Sequence, residues 1–537
     1  MTDRRTFLSS ATLATGAMLL PTATAARPAA ETLSGEAITL RIGKGAITID
    51  GQTFPATTVN GTTPGPLLRL RQGQNLALTV INELDEPTSL HWHGLLLPFA
   101  MDGVPGISFP GIAPGQSFTY RFPVTQSGTY WYHSHSAFQE LTGTYGPILI
   151  EPAQPPAPMR DHVVLLSDHP TVSPRHLLRM LKADPDHYNA APTSTLGPWA
   201  KMRMSAADIA DAGAPTLRYL VNGHGPADNW TAPFTPGESV RLRFINAAGI
   251  TFFNIRVPDL PMTMLAVDGQ DIRPVETDEF QIAPGETYDA LIHPGARAYT
   301  IAAESMDRSG MARATLSPAG VGSGGLAAAV PPLRPRPALT MRDMGMGDMD
   351  MHGHSMNMRD PANAPQVRPG PAVDMIAPMA ADRTGFPGTG LDNVGHRVLT
   401  YRDLFSASPI PDLRAPGREI ELHLTGSMDR FLWGIDGAPM SHTNAIALRT
   451  GERLRITLIN DTMMAHPIHL HGHLVELVTG HGDHAPRKHT VVVQPGGKVS
   501  MDTTAQGGDW AFHCHLFLHM AMGMMRVVTV RDGDRQA

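Results

Sequence analysis

GQNLALTVIN (73–82), GESVRLRFIN (237–246) and GERLRITLIN (451–460) are three versions of one phrase, each running from a glycine to an asparagine nine residues later. Apolar and polar residues alternate between those ends, the pattern of a strand with one buried and one wet face. Each phrase is followed by a Pro-Gly turn (Pro114-Gly115, Pro284-Gly285, Pro495-Gly496) and then by another alternating strand. Self-similarity of this kind marks a repeated structural unit. The unit is all-β, and three Greek-key β-sandwiches are the economical expectation. The 52 glycines and 48 prolines suit short strands joined by turns better than long helices.

The expected organisation is domain 1 over 36–155, domain 2 over 160–318 and domain 3 over 396–537. Between the last two, over 319–395, the alternation is lost, and a linker is expected that contains the Met/His-rich segment MRDMGMGDMDMHGHSMNM (341–358). Arg4-Arg5, an apolar run to Leu20 and the small residues Ala23-Thr24-Ala25 suggest a cleavable twin-arginine signal over 1–25, and hence export to the periplasm. That run is too short and too rich in Ser, Thr and Gly to span a bilayer, so no stable membrane insertion is expected. A net charge of −7 without a basic tract argues against nucleic-acid binding. A monomer is expected.

The outer repeats carry histidines where the middle one carries none. Nine residues after Asn82 stands His91, opening His91-Trp92-His93; nine after Asn460 stands His469, opening His469-Leu470-His471; nine after Asn246 stands Ile255. Likewise His133-Ser134-His135 follows Pro114 by 19 residues, and His513-Cys514-His515 follows Pro495 by 18. On a strand, residues i and i+2 share a face, so each pair presents two imidazoles together and turns the middle residue the other way. One such pair is weak evidence of a metal site. Four at equivalent repeat positions, one enclosing the only cysteine of 537 residues, are not readily produced by chance. A thiolate at Cys514, an imidazole at His519 and a thioether at Met524 are ligand types of a blue-copper centre.

HWHG, YWYHSH, HPIHLHGH and HCHLFLHMAMGM together resemble the four copper motifs of the multicopper oxidases, in the usual order. The resemblance covers essentially the whole mature chain and implies three cupredoxin-like domains and four coppers per chain. His466, Cys514, His519 and Met524 would hold type 1 copper. His91 and His469 would hold type 2, and His93, His133, His135, His471, His513 and His515 the type 3 pair. Cys514 would then face one centre and its neighbours the other, a three-residue covalent path between them. The implied reaction is one-electron oxidation of a reductant at type 1 copper, with four electrons reducing O₂ to two waters at the trinuclear cluster. Asp102 matches an acid that many relatives place near the cluster, although an ordinary Asp-Gly turn explains it as well. Where some relatives have a glutamate after the last histidine ligand, this chain has Met520.

The longer segments YWYHSHSAFQELTGTYGPILI, ESMDRSGMARATLSPAG and NDTMMAHPIHLHGH resemble the bacterial copper-resistance branch of that family. His473 departs from it, standing where a methionine is expected. In the Met/His-rich segment, Met341, Met344, Met346, Met349, Met351, His352, His354, Met356 and Met358 offer soft ligands suited to Cu(I), with Asp343, Asp348 and Asp350 as auxiliary charges; a flexible linker is the competing reading. Met463, Met464, Met520, Met522 and Met525, beside the type 1 ligands, read mostly as core filling. Three functions compete: a periplasmic oxidase converting Cu(I) to Cu(II) in copper resistance or homeostasis, with incidental oxidation of phenols; a laccase acting mainly on phenols or amines; and a copper-sequestering protein with secondary oxidase activity.

Overall fold

The computed structural model describes residues 31–185, 187–188, 209–320, 328–347, 358–441 and 444–532. The signal expected over 1–25 lies outside the described residues. Six sheets pair into three sandwiches. In the first, Gln52–Val59, Ala37–Ile49, Asn75–Asn82 and Ser117–Pro123 form one sheet. The other runs Thr32–Ser34, Leu67–Arg71, Tyr145–Glu151, Gly128–His133, His91–His93. The second and third sandwiches repeat this scheme with additional strands.

All three glycine-to-asparagine phrases form the same strand. Asn75–Asn82, Val240–Asn246 and Arg453–Asn460 each pair in parallel with the first long strand of their sandwich. Each terminal asparagine is fully buried and does the same work. The Asn82 amide donates to Glu86 O and Ile112 O, that of Asn246 to Thr251 O and Ile282 O, and that of Asn460 to Met464 O and Val493 O. Each side-chain oxygen accepts the backbone N–H two residues on. A side chain that satisfies three buried backbone groups at once explains why the residue recurs.

Register brings the histidine pairs together. His91 pairs with His133 across one antiparallel ladder and His469 with His513 across another. The equivalent strand of the middle sandwich is Phe253–Arg256, whose Phe253 and Ile255 lie in the hydrophobic core. One position in the repeat thus carries paired histidines in the outer units and core residues in the middle one.

The stretch expected to be a linker is irregular but packed. Leu339, Met346, Val367, Val373 and Ile376 are buried, and Ala381–Asp382 adds in parallel to Gly497–Lys498. Arg334 bridges Glu279 and Glu304 of the middle sandwich, and Asp343 meets Arg383 at 2.6 Å. Composition alone concealed this, because glycine, proline and alanine bury little area and follow no period. No helix among the described residues is long and apolar enough to cross a membrane.

Candidate metal centres

The edge strand His91–His93 and the strand Gly128–His133 of the first sandwich face the strands His466–Leu470 and Gly508–Cys514 of the third. Eight imidazoles meet between them. His91, His133 and His135 form one compact group of ligand atoms; His91, His469 and His471 a second; His93, His133 and His515 a third; and His135, His471 and His513 a fourth. Nε2 of His91, His133, His135, His469 and His515, together with Nδ1 of His93, is buried without a hydrogen-bond partner among the described residues. Nε2 of His471 and His513 face each other at 3.0 Å. Leaving so many buried nitrogens unpaired is costly unless something else binds them.

The opposite ring nitrogens are held. His91 Nδ1 lies 2.8 Å from Asp102 O, His469 Nδ1 2.6 Å from His489 O, and His513 Nδ1 2.9 Å from Cys514 O. His93 Nε2 is 3.1 Å from Thr490 Oγ1. His471 Nδ1 meets Asp102 Oδ2 at 2.9 Å, and His133 Nδ1 meets Glu140 Oε2 at 2.9 Å. Such outer partners fix tautomer and ring orientation, leaving the inner nitrogen free as a ligand. Burial, reinforced by neighbouring rings, pushes His93, His133, His135, His469, His471 and His515 well below the usual histidine range. Burial also takes His513 down to about 4. These imidazoles are therefore neutral at pH 7, the form that binds a metal.

Asp102 is fully buried in the turn after the 3₁₀ helix Phe99–Met101. Gly103 has φ +83°, and a Cβ there would meet Leu90 O at 1.8 Å, so glycine lets the turn press the carboxylate inward. The Asp-Gly turn and the position between two histidines are both real.

Cys514 projects to the other side of its strand. Its Sγ lies 3.6 Å from His466 Nδ1 and 4.0 Å from His519 Nδ1, and those two nitrogens are 3.2 Å apart. All three side chains are fully buried, as is Met524, whose carbonyl accepts the Cys514 N–H at 3.0 Å and whose N–H donates to His519 O. Thr462 Oγ1 holds His466 Nε2 at 2.7 Å. The Asp211 carboxylate stands 3.2 Å from His519 Nε2, and Trp433 stacks on the same ring at 3.7 Å between centroids. Burial raises the Cys514 thiol far above its usual value, so without a metal it stays protonated. Two imidazoles and a thiol on one side, with buried Met524 tied to Cys514 and His519 through its backbone, and eight imidazoles on the other, form a donor set suited to copper.

Several neighbours escaped the sequence reading. Glu140 sits in the short helix Gln139–Thr142, Asp211 comes from the middle sandwich, and Thr462 is a loop hydroxyl. His489 groups with His93 and His469 and packs against Gly94 (φ +83°), where a Cβ would meet its ring at 2.3 Å. None of the four has a spacing signal; only the glycine closing HWHG hints at a close neighbour. His473 is a satisfied core residue, its Nδ1 2.7 Å from His471 O and its Nε2 accepting the Gln506 N–H.

Of the Met/His-rich residues, Met341 and Met344 bound a 3₁₀ turn capped by Thr340 and Asp343, Met346 is buried, and Met358 O accepts the Ile376 N–H. Asp343, expected as an auxiliary charge for copper, is occupied by that cap and by Arg383. Met349, Met351, His352, His354 and Met356, with Asp348 and Asp350, lie outside the described residues. Met464 is buried, and Met463, Met520 and Met522 are half-buried against the core.

Family models described as multicopper oxidase match residues 41–155, 185–320 and 414–534. The chain is 45% identical to copper resistance protein A of Escherichia coli, covering 99% of each chain, and 45% identical to a copper resistance protein A homolog of Pseudomonas syringae pv. tomato, covering 93% of each. Among solved structures, it superposes on Fet3p, described as a multicopper oxidase that functions in iron import, with a TM-score of 0.68. That match has 19% identity and covers 93% of this chain and 90% of Fet3p, a likeness of fold.

Proposed function

The chain belongs to the multicopper oxidases, and on that premise we propose that it is a periplasmic cuprous oxidase carrying four coppers. The observation that carries the reading is the convergence of eight imidazoles, seven of them buried, from two sandwiches beside a thiol flanked by two more. In this reading His466, Cys514, His519 and Met524 hold type 1 copper. His91 and His469 hold type 2; His93, His133, His135, His471, His513 and His515 hold the type 3 pair. Copper bound there supplies one-electron oxidation at the first site and four-electron reduction of O₂ to water at the second. The protein's part is placement: His513-Cys514-His515 joins the two sites through the backbone, and Pro467 O receives the His515 N–H at 2.6 Å to hold that junction. Asp102, between His91 and His471, is our candidate for passing protons to the cluster.

One observation favours Cu(I) over organic reductants. The packed stretch after Met358 returns to the type 1 side, where Ala377 N–H donates to Asp461 Oδ1, one residue before the Thr462 that holds His466. Met358, whose carbonyl accepts the N–H of the neighbouring Ile376, is thereby held on that side of the third sandwich. The relatives named copper resistance protein A support a role in copper homeostasis, and the Arg4-Arg5 signal supports export. We propose a monomer.

Removing residues 348–357 tests the substrate. That cut leaves the packed Asp343 and Met346 in place. Cu(I)-driven oxygen uptake should fall at least tenfold while phenol-driven uptake holds or rises. Unchanged Cu(I) turnover with dominant phenol oxidation would make the protein a laccase. Copper well above four per chain with negligible oxygen uptake would make it a sequestering protein.

A further inference from the structure

The cluster is built from two sandwiches, and its imidazoles must be held to within about 0.5 Å for a metal to bridge them. On one side Asp102 does this, touching His91 of the first sandwich and His471 of the third. On the other side the facing rings are His133 and His515, and Glu140 stands between them. Its Oε2 is 2.9 Å from His133 Nδ1, and its Oε1 is 3.9 Å from His515 Nδ1. Glu140 Oε1 and His515 Nδ1 are both buried, and neither has a hydrogen-bond partner among the described residues. Two orphaned polar atoms, an acceptor and a ring nitrogen, therefore face one another across a gap that a small rotation closes.

The short helix bearing Glu140 is braced. Gln139 Oε1 accepts the hydroxyls of Thr88 and Ser134, and its amide donates to Pro87 O. Phe138 packs on Phe517 of the third sandwich, and Phe517 N–H donates to Gly249 O of the second. Trp131 stacks on His133 at 4.3 Å, fixing the ring plane. A buried carboxylate on an element held by three sandwiches is rigid enough to set the geometry of others.

Resting on the copper assignment above, we propose that Glu140 is a positioning residue for the type 3 pair. Its carboxylate accepts from the Nδ1–H groups of His133 and His515, turns both Nε2 atoms inward, and pins the first-domain half of the site to the third-domain half. It is thus the counterpart of Asp102, supplied from the first domain, in a chain that carries Met520 where a second acid was expected.

The test uses the copper-loaded full chain with Glu140→Ala and the isosteric Glu140→Gln. Glu140→Ala should keep the intense visible band of type 1 copper, weaken the near-ultraviolet absorption of a bridged copper pair, and bind fewer than four coppers per chain. Turnover should fall about 10- to 100-fold, the usual effect of removing an outer-shell partner, with KM for the reductant unchanged. Glu140→Gln keeps one acceptor but turns an N–H toward the second ring; it should fold normally and recover only part of the near-ultraviolet band. If Glu140→Ala does not fold, Glu140→Gln decides alone. A wild-type near-ultraviolet band and turnover in Glu140→Gln, or four coppers and twofold-unchanged turnover in Glu140→Ala, would overturn the proposal. A wild-type protein without either band would instead overturn the copper assignment, leaving Glu140's role a separate matter.

Discussion

Asp102 Oδ2 lies 2.9 Å from His471 Nδ1, across 369 positions of sequence and from one sandwich to another. The same carboxylate's Oδ1 is 3.3 Å from His91 Nδ1. One buried side chain thus spans both halves of the histidine cluster, a placement that no single repeat unit could create. Asp102→Asn keeps the shape and loses the exchangeable acid. It should retain the visible band of type 1 copper while slowing turnover at least tenfold. Full turnover in Asp102→Asn, with copper content verified by elemental analysis, would remove the proton role.

Cys514→Ser tests the junction. Serine fills the space but offers no thiolate, so the visible band should vanish and the copper count fall from about four to about three. The cluster should remain loaded, because His513 and His515 are untouched. Loss of all copper would mean that the two sites do not load independently.

Asn246→Ala separates fold from function. The middle sandwich has no candidate ligand at the repeated histidine positions, yet Asn246 makes the same three backbone contacts as Asn82 and Asn460. Exposing two buried carbonyls and one N–H to no partner should cost about 3 kcal/mol. Thermal unfolding should occur several degrees lower with copper stoichiometry unchanged. An unaltered melting temperature would contradict the structural role given to the repeat.

His423 predicts a pH dependence. Burial opposes its charge, but hydrogen bonding and attraction from Asp461, at 2.7 Å, and from Glu421 outweigh burial and raise its pKa above the usual value. Asp436 accepts the His423 N–H nearby. A raised folded-state pKa means stability that is full below about 6.5, the unfolded value, and lost as pH climbs through the folded value. Because Asp461 also anchors Ala377, the stretch behind the Met/His-rich segment should loosen over that range. Amide exchange at 374–379 should quicken with pH beyond its intrinsic dependence in wild type and lose that excess in His423→Gln.

The legible part of this molecule was what period and register impose. Alternation announced the strands, and His91, Ile255 and His469 at one repeat position separated histidine-bearing strands from a core strand. What stayed illegible depends on approach in three dimensions. Glu140 lies five residues beyond His135 on a four-residue helix, a spacing shared with any surface acid. Asp211 reaches His519 from another sandwich, and His489 lies against the cluster because Gly94 leaves room for it. The stretch 328–347 looked like a linker because its anchors, Arg334 and Asp343, pair with residues tens of positions away. Asp343 shows the limit from the other side: a carboxylate beside methionines suggested a ligand, and the fold spends it on Arg383.

The reaction proposed for this chain couples Cu(I) oxidation to the reduction of O₂ to water. The direct measurement is the stoichiometry of that coupling on copper-loaded protein, with dissolved oxygen, Cu(II) and hydrogen peroxide followed together. Four Cu(I) ions oxidised per O₂ consumed, with no peroxide accumulating, is the predicted result. Two Cu(I) per O₂ with peroxide appearing, or no uptake above the protein-free rate, would contradict it.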